Sequence, residues 1–364
     1  MKYYIILCLI LAIGCGKKQE PKTKKPIAVE IATAIEQNAP IYIDTIGHAQ
    51  AYNTVDIKAQ VDGILMKTYF ADGEDIKKGN LLYLIDQRPY FAALQKAKGA
   101  LEESIANFNY AKRNVARNKE LVQDNYISQN DYDNLVTTAL ADDALVKQNA
   151  ASVDEAQIDL GYTMIYAPMD GRAGDSLIDD GNLILSSAET TLVTLNQITP
   201  IYVSFFVNEN RLPQIQKRQK THGALTCLIS IGDAKTPSYS GNLTFIDNQV
   251  DLTTGMIQLK ATLSNEDQFL WPNQYVKVRL IIDILEDAIL IPQEAVQASL
   301  EGSYVFVLKD DQSVEKRLIE IGQEQEDNLI VVLKGIHAGE HVITQGQLNL
   351  YAGALVKIVT PNSL

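Results

Sequence analysis

The sequence predicts a mostly β chain of several modules with a long α-helical hairpin inserted into one of them. The first observation behind this is a repeat. Ala59, Asp62, Gly63, Asp72, Gly73 and Ile76 reappear 108 positions later as Ala167, Asp170, Gly171, Asp180, Gly181 and Ile184. Each copy reads as a small β-hairpin unit whose Asp-Gly turns use the conformational freedom of glycine. The second observation is that, between the copies, apolar residues change from alternate spacing to a sevenfold recurrence, the signature of packed helices. The third is that short apolar runs separated by turn residues return after the second copy, at the spacing of small β-barrels. One β module is thus split by a helical insert.

The chain opens with Lys2, an apolar run from Tyr3 to Ile13 and then Gly14-Cys15. Eleven residues are too few to span a bilayer core, which takes about 20. A positive start, a short apolar core and a small residue before the cut describe a signal peptide over residues 1–14. Cys15 directly after Gly14 gives it the form of a bacterial lipoprotein signal, in which Cys15 is acylated and becomes the mature first residue. The position three before the cysteine, usually Leu, is Ala12 here, with Leu11 beside it. Two or three acyl chains anchor a protein stably where one does not. Residues 15–26, rich in Lys and lacking apolar side chains beyond Cys15, read as a solvated tether.

Strand-like alternation runs from Ile27 to about Tyr52, and the first half-module covers residues 54–86. Pro89 suits a helix N-terminus, where its missing N–H costs nothing. Leu94, Leu101, Phe108, Val115 and Val122 recur at sevens, with Ala97 and Ala111 on the adjacent stripe. After a break near Asp124-Asn125, Tyr132, Ala139, Val146, Val153 and Leu160 do the same, and Ser128 is a good N-cap for this second helix. Residues 87–160 are therefore expected to form an antiparallel coiled-coil hairpin, an arm about 50 Å long at 1.5 Å per residue. The second half-module spans 161–196. Strands at 201–207, 225–231, 243–246, 256–263 and 275–284, with a short helix over 211–220, predict a small barrel. Residues 286–364 form a final β-domain. Residues 27–53 group with 197–285 in the barrel, with the last domain as the alternative place for the stretch 27–40.

Composition and motifs narrow the function by exclusion. A formal net charge of -13 argues against a nucleic-acid partner. Of the three cysteines, Cys8 lies in the signal and Cys15 at its end, which leaves Cys227 as a buried apolar side chain with no disulfide partner. No Gly-x-Ser-x-Gly, His-Glu-x-x-His or phosphate-binding glycine loop appears, so no enzyme and no cofactor is expected. His337 and His341 are four apart, but Gly339 between them marks a turn, and no metal site is expected.

The split repeat resembles the two halves of a biotinyl or lipoyl domain. Carrier domains attach their cofactor to a Lys at the turn joining the halves. Here Asp86-Gln87-Arg88-Pro89 leads into the insert, and Lys96 and Lys98 fall later, inside a helix. In linear order the chain is similar to the periplasmic adaptor, or membrane fusion, proteins of tripartite efflux pumps of the resistance–nodulation–division (RND) type. The likeness rests on Asp62-Gly63 through Gly73, Lys77-Lys78-Gly79 and Leu84-Ile85-Asp86 in the first half. In the second half it rests on Tyr166-Ala167-Pro168-Met169-Asp170-Gly171-Arg172. Pro292 to Val296, Tyr304 to Val307, Gly335 and Gly339 carry it in the final domain. Trp271-Pro272-Asn273-Gln274 departs from the family's Pro-Gly, though Asn tolerates the left-handed conformation that such a turn needs.

The resemblance implies an elongated multi-module chain of membrane-proximal β-domain, β-barrel, split lipoyl-like domain and antiparallel coiled-coil hairpin. It further implies that Arg117, Leu121 and Ser128, at the family's tip-motif spacing, dock onto an outer-membrane channel. The other implied partners are an inner-membrane transporter and further copies of the chain, as a hexamer or a trimer of dimers. The implied location is the periplasm of a Gram-negative bacterium, lipid-anchored to the inner membrane. An ABC exporter is the alternative transporter. A metal- or substrate-binding lipoprotein of the periplasm and a purely structural envelope lipoprotein are the rival classes.

Overall fold

The computed structural model describes residues 26–188, 190–232 and 239–359. The expected signal peptide, Cys15 and the tether before Pro26 lie outside the described residues. The chain divides into two units, one of Asp44–Arg279 and one of Met1–Ile43 with Leu280–Leu364.

In the Asp44–Arg279 unit the two repeat copies fold into one another. The expectation of a self-contained hairpin turned at each Asp-Gly needs correction. Gly63 and Gly171 open strands Gly63–Thr68 and Gly171–Ala173. Those strands pair with the opposite copy, Gly63 with Ile184 and Gly171 with Ile76. The reason is burial. Neither copy has enough apolar surface alone, and exchanging edges places Leu65, Ile76, Leu82, Ile85, Ile184, Leu192 and Leu195 in a single core. The exchange is reciprocal down to single hydrogen bonds. Leu65 N donates to Asn182 O at 2.9 Å, and its equivalent Ala173 N donates to Glu74 O at 2.9 Å. The carboxylate of Asp62 accepts from Ser186 N at 2.7 Å, and that of Asp170 accepts from Lys78 N at 2.7 Å. Gly73 and Gly181, with φ of 77° and 92°, do occupy the left-handed turns that glycine permits.

Two long helices stand between the copies, α1 over Arg88–Gln123 and α2 over Gln129–Tyr162, packed against each other. Leu94 and Ala111 are buried, and Leu101, Phe108, Val115 and Val122 are half-buried on the same side of α1. On α2, Tyr132, Ala139, Val146, Val153 and Leu160 are half-buried and none is fully buried. Asn149 Nδ2 donates to Ala100 O at 3.1 Å across the pair.

Six strands follow one another around a closed ring: Ile35–Lys58, Tyr275–Pro292, Thr226–Ser230, Tyr239–Asp251, Met256–Leu263 and Thr191–Asn208. Val203, Phe205, Cys227, Ile229 and Leu259 line its interior at 0% exposure, and Ile215 joins them from the short helix α3, Leu212–His222. The turn before the Tyr275 strand is built as Asn allows, with Asn273 at φ 68°. Gly47 permits close strand packing, since a Cβ there would lie 2.5 Å from Ser204 O.

The other unit is all β, and it takes in the 27–40 stretch whose place the sequence left open. Of the 27–53 stretch grouped with the barrel, residues through Ile43 belong here. Strand Ile27–Thr33 pairs antiparallel with His341–Gln345 and parallel with Val356–Ile358, and it buries Val29 against Phe306, Ile343 and Val356. A second core joins Ile291, Val305, Ile330, Val332 and Val342. Strands Gln297–Ser299 and Val314–Leu318 were not visible in the sequence pattern, being short and largely polar.

Candidate functional site

The candidate site is the turn between α1 and α2. Helix α1 ends because Asn125 takes a left-handed φ of 61°, and Tyr126 N then folds back to donate to Leu121 O at 2.8 Å. Helix α2 begins at Ser128, whose Oγ accepts from Asp131 N at 3.1 Å and donates to Asp131 Oδ2 at 2.7 Å. This reciprocal cap also places a carboxylate in the first turn, where the helix dipole favours it.

All three sequence-predicted residues sit at this end. Arg117 is exposed, its Nη2 hydrogen-bonded to Asn114 Oδ1. Leu121 is 41% exposed, so it is not a core residue, and Ser128 is exposed. A fourth residue was missed: Tyr126, at 77% exposure, crowns the turn. Its signal was available, since an aromatic between the Asp124-Asn125 break and the Ser128 cap has no core to enter. The assembly offers a cation, a branched apolar side chain, a phenol and a hydroxyl at one exposed end of the helix pair. Such a set suits helix-to-helix contact.

Two further places bear on function. At the root of α1, the carboxylate of Asp86 accepts from the side chain and backbone N–H of Arg88, which hold its pKa down to about 2. On the repeat module, Arg172 makes a two-pronged contact to Asp75 at 2.8 Å, donates to Gln268 at 2.7 Å and lies 5.1 Å from the ring centre of Trp271. Arg172 lines an open cleft of about 310 Å³ with Lys77, Asp170 and Glu266. Of the polar side chains that line it, Asp75, Arg172 and Gln268 are bonded to one another. Among the described residues no cluster of three or more His, Cys, Asp or Glu side chains is placed to hold a metal. His341 Nδ1 is 3.1 Å from Thr33 Oγ1. Cys227 is buried, which pushes its thiol up to about 12 and removes it as a nucleophile.

Comparison with known proteins gives three family matches in sequence order. Residues 53–196 match the RND MFP barrel-sandwich hybrid domain, 200–284 the RND MFP beta-barrel domain and 287–348 the RND MFP C-terminal permuted SH3 domain. Multidrug resistance protein MdtA of Yersinia enterocolitica is 38% identical over 339 residues, which cover 92% of this chain and 76% of that protein. MdtA of Yersinia pestis is 38% identical over 343 residues, 93% of this chain and 77% of that protein. The crystal structure of MacA from Actinobacillus actinomycetemcomitans shares the fold at 22% identity, with a TM-score of 0.62 over 87% of this chain and 98% of that one. A MacA-MexA chimera carrying the Pseudomonas aeruginosa MexA alpha-hairpin domain does so at 23% identity, with a TM-score of 0.56 over 85% and 98%.

Proposed function

The chain belongs to the RND membrane fusion protein family, and from that premise we propose that it is the periplasmic adaptor of a tripartite multidrug efflux pump. The observation that carries this is the unbroken run of three RND adaptor domains from residue 53 to residue 348. The partners are an inner-membrane RND transporter, driven by protons, and an outer-membrane channel. The adaptor does no covalent chemistry; it joins the two and transmits conformation between them, a hinge type of coupling.

The finer reading assigns a part to each segment. Cys15, acylated after removal of residues 1–14, holds the chain to the inner membrane through the 15–26 tether. Residues 54–86 with 161–196 form the split lipoyl-like module. Residues 44–53 with 197–285 form the barrel, and residues 286–364, joined by 27–43, form the membrane-proximal domain that grips the transporter. Helices α1 and α2 form an antiparallel coiled-coil hairpin. Its tip, Arg117, Leu121 and Ser128 with Tyr126, meets the channel. Several copies, six by family analogy, surround the path of the exported compound.

The test is excision of the hairpin. Ile85 N donates to Thr163 O at 2.8 Å, so the two ends of the insert are already neighbours. Joining Asp86 to Thr163 through a short turn should leave both units folded and the protein at its normal level, while efflux is lost. Export that survives in this variant would contradict the bridging role of the helices.

A further inference from the structure

Strands Ile35–Lys58 and Thr191–Asn208 pair antiparallel through both the barrel-sandwich part of the chain and the barrel, and they lose their register where the two parts meet. Asn53 faces Gln197 and Ala51 faces Ile201, so Tyr52 alone stands opposite Ile198, Thr199 and Pro200. An excess of residues on one strand interrupts the ladder and bends the strand that carries it. All of these residues lie in the Asp44–Arg279 unit.

A loop of the barrel, residues 264–274, is fastened across this bend at two points. The first is Asn265, which is 3% exposed. Its Nδ2 donates to Ile198 O at 2.8 Å and to Leu270 O at 3.0 Å, and its Oδ1 accepts from Leu270 N at 3.0 Å. Its main-chain oxygen accepts from Thr199 Oγ1 at 3.2 Å. Ile198 and Thr199 are themselves the bulged residues, so the loop moves with the bend. The second point is Arg172, on the barrel-sandwich side, which donates to Gln268 and lies against the ring of Trp271.

The two fastenings differ in what their release costs. Parting Asn265 from Ile198 leaves buried donors and acceptors without partners, a full desolvation penalty. Arg172 loses one hydrogen bond and a ring contact. It keeps its two-pronged bond to Asp75, which lies on its own side of the bend. The contact also borders an open cleft, where solvent can replace the hydrogen bond to Gln268. Lys77 lines this cleft from the barrel-sandwich side and Glu266 from the loop. Both are exposed, and neither forms an ion pair among the described residues.

We propose that the 264–274 loop is a strap across the bend, fixed at Asn265 and releasable at Arg172, and that its release lets the cleft close on a Lys77–Glu266 ion pair. The bend then has two settings. In the one seen here Arg172 holds the loop through Gln268; in the other Arg172 rests on Asp75 alone and Lys77 takes Glu266. The strap goes beyond the adaptor reading, and its readout does not involve efflux.

Full-length protein carrying Lys77→Cys and Glu266→Cys reports closure as a disulfide, since the bridge needs Cβ atoms about 4 Å apart. Cys227 is buried and does not compete. Under mild oxidation, the peptide linking positions 77 and 266, read by mass spectrometry, should form slowly in this background. Adding Gln268→Ala should speed it several-fold, because the loop is freed while Asp75 still holds Arg172. Arg172→Lys, which removes the fork that spans Asp75 and Gln268, should do the same. Cys227 should stay closed to a thiol reagent throughout, which separates movement of the strap from opening of the barrel core. No linked peptide in any of these proteins would show that the cleft does not close. Equal rates with and without the two releasing changes would show that Arg172 and Gln268 do not hold it. Either result overturns the proposal.

Discussion

At the scale of single residues, position decides whether a side chain supports folding or contact. Leu121 and Leu65 are the same residue type in opposite settings, one 41% exposed beside the helix turn and one at 0% in the shared core of the repeat. Leu65→Ala should cost ~2–5 kcal/mol. Leu121→Ala should stay within ~0.5 kcal/mol of the parent, as exposed sites do. Denaturant unfolding distinguishes them, and an equal loss would contradict the placement of Leu121. Arg117→Asp should abolish export at unchanged protein level, because it reverses a charge at the proposed channel contact and touches no core; normal export would remove Arg117 from that role. The spacing of Arg117, Leu121 and Ser128 was legible in the sequence, as was the cap at Ser128, because capping is a local preference. Tyr126 belongs to no motif spacing, and only its exposure in the turn sets it apart.

At the scale of elements, the structure turns on pairings that periodicity cannot reveal. The 108-residue repeat announced two copies of one unit, but alternation along a strand does not say which strand it pairs with. The exchange of edges between copies appears only once Leu65, Ile76, Ile184 and Leu195 are seen to need one core. The Arg172 contact has the same origin, since Asp75 comes from the first copy, Arg172 from the second, and Gln268 and Trp271 from the loop before the Tyr275 strand. It yields a pH prediction. The hydrogen bonds from Arg172 hold the Asp75 carboxyl below its ordinary range, against the smaller opposing effect of burial. A lowered folded pKa means that the contact is intact above ~3.9 and is lost as pH falls below it. The pair is partly exposed and adds little to stability, so the readout is spectroscopic. Trp271 is the only tryptophan of the chain, 5.1 Å from the Arg172 guanidinium. Its emission should stay constant from neutrality to about pH 4 and change below it, while far-UV circular dichroism is still native. Arg172→Leu should lack that step; an unchanged step in the variant would mean that Trp271 senses something else.

At the scale of the whole molecule, the mostly β character, the two long helices and the order of modules could be read from spacing alone. The membership of residues 27–43 was left between two domains. Strand Ile27–Thr33 looks like any alternating segment, and only pairing with His341–Gln345 and Val356–Ile358 assigns it to the unit that holds the C-terminal part of the chain. No helix among the described residues is long and apolar enough to cross a membrane. In the proposed account, acylated Cys15 holds the protein to the membrane. Cys15→Ser should release it into the soluble fraction, and retention after salt and carbonate washing would point to another anchor. The central claim is that one chain contacts both a transporter and a channel. Its most direct test is purification of the tagged protein from cross-linked envelopes, with the bound proteins identified by mass spectrometry. The account predicts an inner-membrane RND transporter and an outer-membrane channel in the same preparation. Recovery of neither, from cells that contain the adaptor at full level, would contradict it.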